Sequence, residues 1–247
     1  MVVSVQNHER RGRLLDLIRV RGFAALEELV RELGVSESTV RRDLDALEEQ
    51  GAAKRAIASR AAEVIGDGET VLLDGGTTTY EVARLLVGRS LQVVTNSLPV
   101  ANLFASESRS DLVLLGGYVS PRTGVCLGPY ANELLGRLHV TTTVLSAAGI
   151  ADEGLFNAHL LLAETEQAML RAASRVIVVA DSSKFGKKSL TLVAPLAEID
   201  AFVSDDGLAE DWRARITAAG SELIVAAIPP EAADDHESRP SPRRRHA

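Results

Sequence analysis

Hydrophobic residues in the first 50 positions recur every three or four residues, a spacing that predicts amphipathic helices. One such run covers residues 8–20, and a shorter one covers residues 26–33. Ser36 follows with a side chain suited to cap a helix N-terminus, because its hydroxyl can accept a hydrogen bond from a free backbone N–H. A third helix is therefore expected over residues 37–50, ending at Gly51.

Three short helices with a turn at Gly34 between the second and third match the helix-turn-helix pattern of DNA-binding proteins. The start of the third helix is polar, and arginines there can bind guanine or phosphate. The candidate DNA-contacting residues are Ser36, Glu37, Ser38, Thr39, Arg41 and Arg42. The alternative is an ordinary surface helix in which Arg42 pairs with Asp43 or Asp45.

Beyond Ala53 the pattern changes to short apolar segments that alternate with helical ones. A helix is expected over residues 53–65. The expected strands cover residues 70–74, 91–95, 111–115, 140–146, 175–180, 199–204 and 222–227. Apolar strands that alternate with helices predict an α/β domain, with a mostly parallel, doubly wound sheet covered by helices on both faces.

Polar and glycine-containing clusters follow four of these strands. They comprise Asp74, Gly75, Gly76, Thr77, Thr78, Thr79, Asn96, Ser97, Gly116, Gly117, Asp181 and Lys184. Ligands of such sheets bind beyond the carboxyl ends of the strands. The Gly-Gly turn and three threonines at a helix start can bind one phosphate through backbone N–H groups and hydroxyls. The alternative is a tight turn with a threonine N-cap.

Charge and composition limit the classes of function. The net charge is −7, and the first 60 residues hold eleven basic and ten acidic side chains, so DNA binding must be a local property. Cys126 is the single cysteine, and no stretch has the length and hydrophobicity of a membrane span or secretion signal. A cytoplasmic protein is expected. His139 and His159 are isolated, so neither a metal nor another cofactor is expected.

The segment LGVSESTVRRDL at residues 33–44 closely resembles the signature of the DeoR family of bacterial transcriptional regulators. The resemblance extends over about residues 8–227. Its sensor-domain motifs are LDGGTTT at residues 73–79, VTNSL at 94–98, LLGG at 114–117 and ADSSKFG at 180–186.

This resemblance implies a DNA-binding repressor of sugar-metabolism genes that forms a dimer or tetramer on double-stranded operator DNA. It also implies a sensor domain related in fold to ribose-5-phosphate isomerase and glucosamine-6-phosphate deaminase, with a phosphorylated sugar as effector. Residues 77–79 would bind the phosphate. Asn96, Gly117, Asp181 and Lys184 would line the rest of the pocket.

The sequence departs from the family pattern at two places. Residues 147–150 read Ala-Ala-Gly-Ile where many members have Ala-Asp-Gly-Ile, which removes a candidate general base and disfavours enzyme activity. The β-hairpin wing that normally follows the recognition helix is also missing, along with its linker. The third helix could therefore fuse with the next one.

The expected domains are a helix-turn-helix over residues 1–51, a sensor over 52–228 and a disordered tail over 229–247. Two alternatives to the ligand-responsive repressor remain open at this point. One is a metabolite-binding regulator that has lost DNA binding with its wing. The other is a sugar-phosphate isomerase or deaminase.

Overall fold

A computed structural model describes residues 10–18 and 24–228. The expected tail over residues 229–247 and both ends of the predicted first helix lie outside these ranges. The N-terminal part contains helices α1 (residues 10–18), α2 (Leu26–Leu33) and α3 (Glu37–Glu63). Leu14, Leu29 and Val40 form its separate small core. The predicted three-helix arrangement is therefore confirmed.

Helix α3 does not end at Gly51, contrary to the prediction, but continues without a break to Glu63. A glycine inside a helix costs only about 1 kcal/mol relative to alanine. Burial of three side chains, Ile57, Ala58 and Ala61, against the sensor domain outweighs that cost. The possible fusion of the two helices is thus realised, and the domain boundary proposed at residue 51 falls inside α3. Residues 64–69 contain no strand, so no wing follows the helix-turn-helix.

The rest of the described chain is an α/β domain. Its strands are β1 (Thr70–Leu73), β2 (Gln92–Thr95), β3 (Asp111–Leu114), β4 (Tyr118–Ser120), β5 (Val125–Leu127), β6 (Val140–Ser146), β7 (Gly149–Ala151), β8 (Gly154–Asn157), β9 (Ala173–Val179), β10 (Thr191–Ala194), β11 (Ala201–Asp205) and β12 (Glu222–Ala226). Its helices are α4 (Thr77–Leu86), α5 (Leu98–Phe104), α6 (Pro129–Leu135), α7 (Leu160–Arg171) and α8 (Glu210–Ala218).

The main sheet has seven strands in the order β12-β11-β9-β6-β1-β2-β3. Every neighbouring pair in it is parallel. Side chains alternate between its faces, so Val71 and Leu73 join a core with α3, α4 and α5, whereas Leu72 joins a core with α6, α7 and α8. The predicted doubly wound parallel sheet is confirmed.

Two small antiparallel sheets were not predicted: the hairpin β4–β5 and the three-stranded sheet β10-β8-β7. Strands of three or four residues are too short for an alternating pattern to be recognised. The hairpin lies against the carboxyl ends of the main strands, because Val125 forms a bridge with Ser97 there. No helix of the described residues is long and apolar enough to span a membrane.

Candidate functional sites for DNA and effector

The start of α3 is held by its own hydroxyl groups. Ser36 is the N-cap, and its Oγ accepts a hydrogen bond from the backbone N–H of Thr39 at 3.3 Å. The same oxygen lies 3.0 Å from Ser38 Oγ and 2.8 Å from Thr39 Oγ1. Ser36, Glu37 and Ser38 are exposed. These side chains therefore fix the first turn and remain accessible to a phosphate at the positive end of the helix dipole.

The two neighbouring arginines of α3 differ in their surroundings. Arg41 forms an exposed ion pair with Glu37 one turn earlier, with 2.8 Å between Nη2 and Oε1. Arg42 is also exposed, but its guanidinium bonds to no other described residue. Its expected alternative partners, Asp43 and Asp45, do not pair with it. Arg42 is therefore the residue of the pair whose guanidinium is available to a base or phosphate.

Asp43, the next residue, has a structural function that the sequence did not predict. It is 2% exposed and accepts hydrogen bonds from Arg10 and Arg11 of α1, the latter at 2.9 Å between Nε and Oδ1. Burial alone would raise the pKa of Asp43, but the hydrogen bonds from the two arginines outweigh it and lower the pKa. This buried ion pair ties α1 to the recognition helix α3.

Asp74, at the end of β1, is buried and fully used within the protein. Its Oδ1 accepts a hydrogen bond from the backbone N–H of Gly76, and its Oδ2 accepts from both the N–H and the hydroxyl of Ser146, each at 2.9 Å. The carboxylate therefore joins the ends of β1 and β6. Asp74 supports the site and does not itself offer a free group to a ligand.

The two glycines of this turn are required by close packing. A Cβ on Gly75 would lie 2.2 Å from Val125 Cγ2, and one on Gly76 would lie 1.9 Å from Ser146 Oγ. Both distances are far below van der Waals contact. The glycines thus allow α4 to begin directly beside the strand ends.

Helix α4 begins at Thr77, the first of the three threonines that follow the Gly-Gly turn. Gly76 provides no side-chain cap, so the N–H groups of Thr77, Thr78 and Thr79 have no acceptor within the helix. Thr77 is exposed, whereas Thr78 and Thr79 are buried. Thr79 Oγ1 is buried without a hydrogen-bond partner among the described residues. The open helix N-terminus suits a phosphate.

The cluster after β2 faces the β4–β5 hairpin. Asn96 is fully buried, and its Nδ2 donates a hydrogen bond to the carbonyl of Cys126 at 3.1 Å. Its Oδ1 is buried without a partner among the described residues. Ser97 is the N-cap of α5, since its Oγ accepts from the N–H of Val100. Ser97 therefore has a structural role, whereas Asn96 retains an unused acceptor.

The glycines after β3 form an exposed turn. Gly117 has φ 141°, and a Cβ there would lie 2.9 Å from the carbonyl oxygen of Leu127. Gly116 has no atom within 4 Å of an added Cβ. The positive φ of Gly117 and the close carbonyl oxygen explain why this position is a glycine, whereas nothing in the structure explains the glycine at position 116.

The loop after β9 carries Asp181 and Lys184. Asp181 is buried, and its Oδ1 accepts a hydrogen bond from the N–H of Ser183 at 3.1 Å. The Lys184 amine bonds to no other described residue. A cavity of about 560 Å³ brings together Thr77, Asp181 and Lys184. The other predicted site residues after β1, β2 and β3 do not line this cavity.

Glu166 is a buried acid near the site that sequence reasoning missed. It lies on α7, is 3% exposed, and accepts a hydrogen bond from Asn157 Nδ2 at 2.8 Å. Burial raises the pKa of Glu166 well above its usual value, and the negative charge of Asp74 raises it further. The hydrogen bond from Asn157 opposes this shift. Nothing in the sequence around Glu166 indicates that this glutamate is buried, so it could not be recognised as a candidate beforehand.

The described residues contain no group of three or more histidine, cysteine or acidic side chains that could hold a metal ion. The arrangement consists of an exposed arginine on a capped helix and an open helix N-terminus beside a lysine. Such groups bind anions.

Comparison with known proteins identifies the same two parts. The family model of the DeoR-like helix-turn-helix domain matches residues 10–58, and that of the DeoR C-terminal sensor domain matches residues 49–206. An uncharacterized HTH-type transcriptional regulator of Haemophilus influenzae is 30% identical, over 88% of this chain and 96% of the relative. The HTH-type transcriptional regulator UlaR of Shigella sonnei is 26% identical, over 87% of this chain and 98% of UlaR.

Among solved structures, a ribose 5-phosphate isomerase A from Methanocaldococcus jannaschii superposes with a TM-score of 0.39 at 18% identity, over 53% of each chain. The relatives that match along almost the whole chain are named transcriptional regulators, which confirms the prediction of a regulator and not an enzyme. Because the sensor-domain match alone covers more than half of the sequence, the chain belongs to the DeoR family of HTH-type transcriptional regulators.

Proposed function

We propose that this regulator is controlled by a phosphorylated sugar bound at the carboxyl ends of β1 and β9. The observation that carries the proposal is the uncapped N-terminus of α4 in the same cavity as Lys184. A helix N-terminus stabilises an anion through its free N–H groups and dipole, and a nearby ammonium adds to this. Asn96 Oδ1 and Thr79 Oγ1 are buried without described partners, but neither residue lines this cavity, so the proposal does not rest on them.

The proposed output is repression through α3 at double-stranded operator DNA. Arg42 reads the DNA, Ser36, Ser38 and Thr39 contact phosphates near the helix start, and Glu37 orients Arg41. A dimer or tetramer fits this role, since paired half-sites mirror the symmetry of a homo-oligomer. The protein acts in the cytoplasm, where its DNA and effector are found, and it requires neither a cofactor nor a membrane.

The missing wing should change how strongly the protein binds its operator. A wing normally adds phosphate contacts, and each contact that is lost lowers both the affinity and its dependence on salt. We therefore infer that operator binding is weaker and less salt-dependent than in winged relatives. The alternative is that DNA binding has been lost completely, and the exposed Arg42, which pairs with no other described residue, disfavours this alternative.

Isothermal titration calorimetry tests the effector. The purified full chain is titrated with ribose 5-phosphate, glucosamine 6-phosphate and fructose 6-phosphate, and with the corresponding sugars without phosphate. At least one phosphate ester should bind, its free sugar should not, and Lys184→Gln should weaken binding about tenfold by removing one charge-assisted interaction. Equal binding of an ester and its free sugar, or no binding of any ester, would refute the proposal.

A further inference from the structure

The two edges of the main sheet are protected to different degrees. At the β12 edge, Glu222 is exposed and pairs with Arg175, whereas Ile224 is buried. At the β3 edge, Val113 and Leu114 are each 41% exposed. Because successive side chains of a strand point to opposite faces, apolar surface is open on both faces of β3. Edge strands are commonly protected by lysine, proline or a bulge, and β3 contains none of these.

The backbone of β3 also offers hydrogen bonds on its outer side. Leu115, the residue after β3, donates its backbone N–H to the carbonyl of Thr95 on β2 at 2.8 Å. Backbone groups alternate in direction along a strand, so the N–H and C=O groups of Leu112 and Leu114 point away from β2. Neither leucine forms a backbone hydrogen bond with another described residue on that side. A further strand can therefore pair with β3.

The exposed apolar surface continues from β3 onto the β4–β5 hairpin and α6. Tyr118 and Val119 of β4 are 60% and 39% exposed, and Tyr130 of α6 is 78% exposed. A Cβ on Gly117 would lie 3.6 Å from that of Ala131. Tyr118 and Tyr130, their neighbours in the chain, therefore lie in the same region of the surface. This edge patch consists of Val113, Leu114, Tyr118, Val119 and Tyr130.

The edge patch supplies a substantial part of a dimer interface. Each partner of a stable interface buries about 800 Å². A fully covered tyrosine buries about 150–250 Å², so Tyr118 and Tyr130 at their exposures contribute roughly 200–350 Å² together. The aliphatic side chains and the backbone of β3 add to this area. The five residues of the patch carry no charge, as is typical of the centre of an interface.

We propose that β3 pairs with β3 of a second copy of this chain in antiparallel orientation, which joins the two seven-stranded sheets into one. An antiparallel pair of identical strands has twofold symmetry, so one self-complementary surface is sufficient. A twofold axis at Val113 places Leu112 of each copy opposite Leu114 of the other, and pairs the outward backbone groups of both. The inference rests on the homo-oligomer of the proposed function and names its interface.

The charge of Asp111 selects this register. With the axis at Val113, the two Asp111 residues lie four positions apart, which is about 14 Å along the strands. This separation exceeds the Debye length of about 8 Å at physiological salt, so their repulsion is largely screened. An axis at Leu112 would halve the separation to about 7 Å and place Asp111 opposite Val113. Val113 therefore faces its own counterpart across the axis.

Sedimentation velocity of the full chain over a range of concentrations, without DNA or effector, tests this interface. Val113→Lys places two like charges opposite each other at the axis, and Val113→Glu does the same with the opposite sign. Each variant should raise the dissociation constant of the assembly about a hundredfold or more. An equimolar mixture of the two variants should recover the assembly, because a lysine then faces a glutamate.

Leu190→Lys is the matched control. Leu190 is 76% exposed and directly precedes β10, an edge strand of a different sheet, so the same charge replaces an apolar side chain outside the edge patch. This variant should leave the assembly unchanged. Val113 is exposed at a sheet edge, so both of its variants should keep the fold, which far-UV circular dichroism checks.

Several results would overturn the inference. If Val113→Lys assembles like wild type, if the mixture of the two Val113 variants does not recover the assembly, or if Leu190→Lys dissociates it as strongly, β3 is not the interface, and the proposed homo-oligomer still stands. If wild-type protein is monomeric at every concentration, the inference and the proposed homo-oligomer both fail. The calorimetric test of the effector site is independent of either result.

Discussion

Asp43→Ala should unfold the helix-turn-helix while the sensor domain stays folded. The Asp43 side chain is 2% exposed and receives hydrogen bonds from Arg10 and Arg11, whose side chains are 20% and 27% exposed. Removing one partner of a buried ion pair costs about 3–5 kcal/mol. Both arginines would recover some water contact, so we expect a loss of about 3 kcal/mol, at the lower end of that range. That loss is large for the helix-turn-helix, because the buried core that the structure describes there consists of only three residues, Leu14, Leu29 and Val40.

Urea unfolding followed by two probes measures this effect. Trp212 lies in the sensor domain, so its fluorescence reports that domain alone, whereas far-UV circular dichroism reports all helices. In Asp43→Ala, part of the helical signal should be lost at lower urea, and the fluorescence transition should not move. Arg41→Ala is the matched control, because it breaks only an exposed pair worth about 0.3–0.5 kcal/mol.

The same ion pair predicts a pH dependence. The pKa of Asp43 is lowered in the folded protein, so its stabilising effect is complete above its usual value of 3.8 and is lost as the pH falls below that value. The difference in stability between wild type and Asp43→Asn should therefore shrink in acid. If the two optical transitions move together in Asp43→Ala, or if neither moves, the assigned role of Asp43 is refuted.

Three further predictions concern other sites. Arg42→Ala should lower affinity for a specific DNA site roughly tenfold or more, as loss of one bidentate arginine contact does, and fluorescence anisotropy measures it; unchanged affinity would exclude Arg42 as a reader. Glu166→Gln should raise the melting temperature at neutral pH but not near pH 4.5, the usual pKa of a glutamate. Because the pKa of Glu166 is raised in the folded protein, the ionised side chain destabilises the fold as the pH rises above 4.5; an equal shift at both pH values would contradict this. Gly76→Ala should destabilise the sensor by about 1–3 kcal/mol through overlap with Ser146, whereas Gly116→Ala, with open space around it, should be nearly neutral; similar urea midpoints for both would refute the packing argument.

The sequence predicted the features that depend on local pattern. Seven apolar segments became the seven parallel strands of the main sheet. Strands β1 and β9 are buried on both faces along most of their length, which requires a continuous apolar run. Ser36 is the N-cap that its position indicated. The end of α3 was predicted wrongly. The helix-breaking effect of Gly51 can be recognised from the local sequence, whereas the packing of Ile57 against the sensor domain, which keeps the helix intact, depends on residues far away in the chain.

The candidate site was predicted in part for the same reason. Clusters at strand ends could be read from the sequence, and Thr77, Asp181 and Lys184 do share one cavity. The sequence could not show which polar side chains already form hydrogen bonds within the protein. Asp74, for example, accepts a hydrogen bond from Ser146, which lies 72 residues later in the chain. Asp43 and Glu166 were missed because their burial arises from contacts between distant segments.

The central claim is that α3 reads DNA under the control of a sugar phosphate. The most direct test is fluorescence anisotropy of the full chain with its own upstream intergenic DNA, with scrambled DNA as control, at two salt concentrations. The same titration is repeated in the presence of ribose 5-phosphate, glucosamine 6-phosphate or fructose 6-phosphate. We predict tighter binding to the upstream DNA, and a change in that affinity with at least one of these ligands. Equal binding to both DNAs at the lower salt, or an affinity that no ligand changes, would contradict the claim.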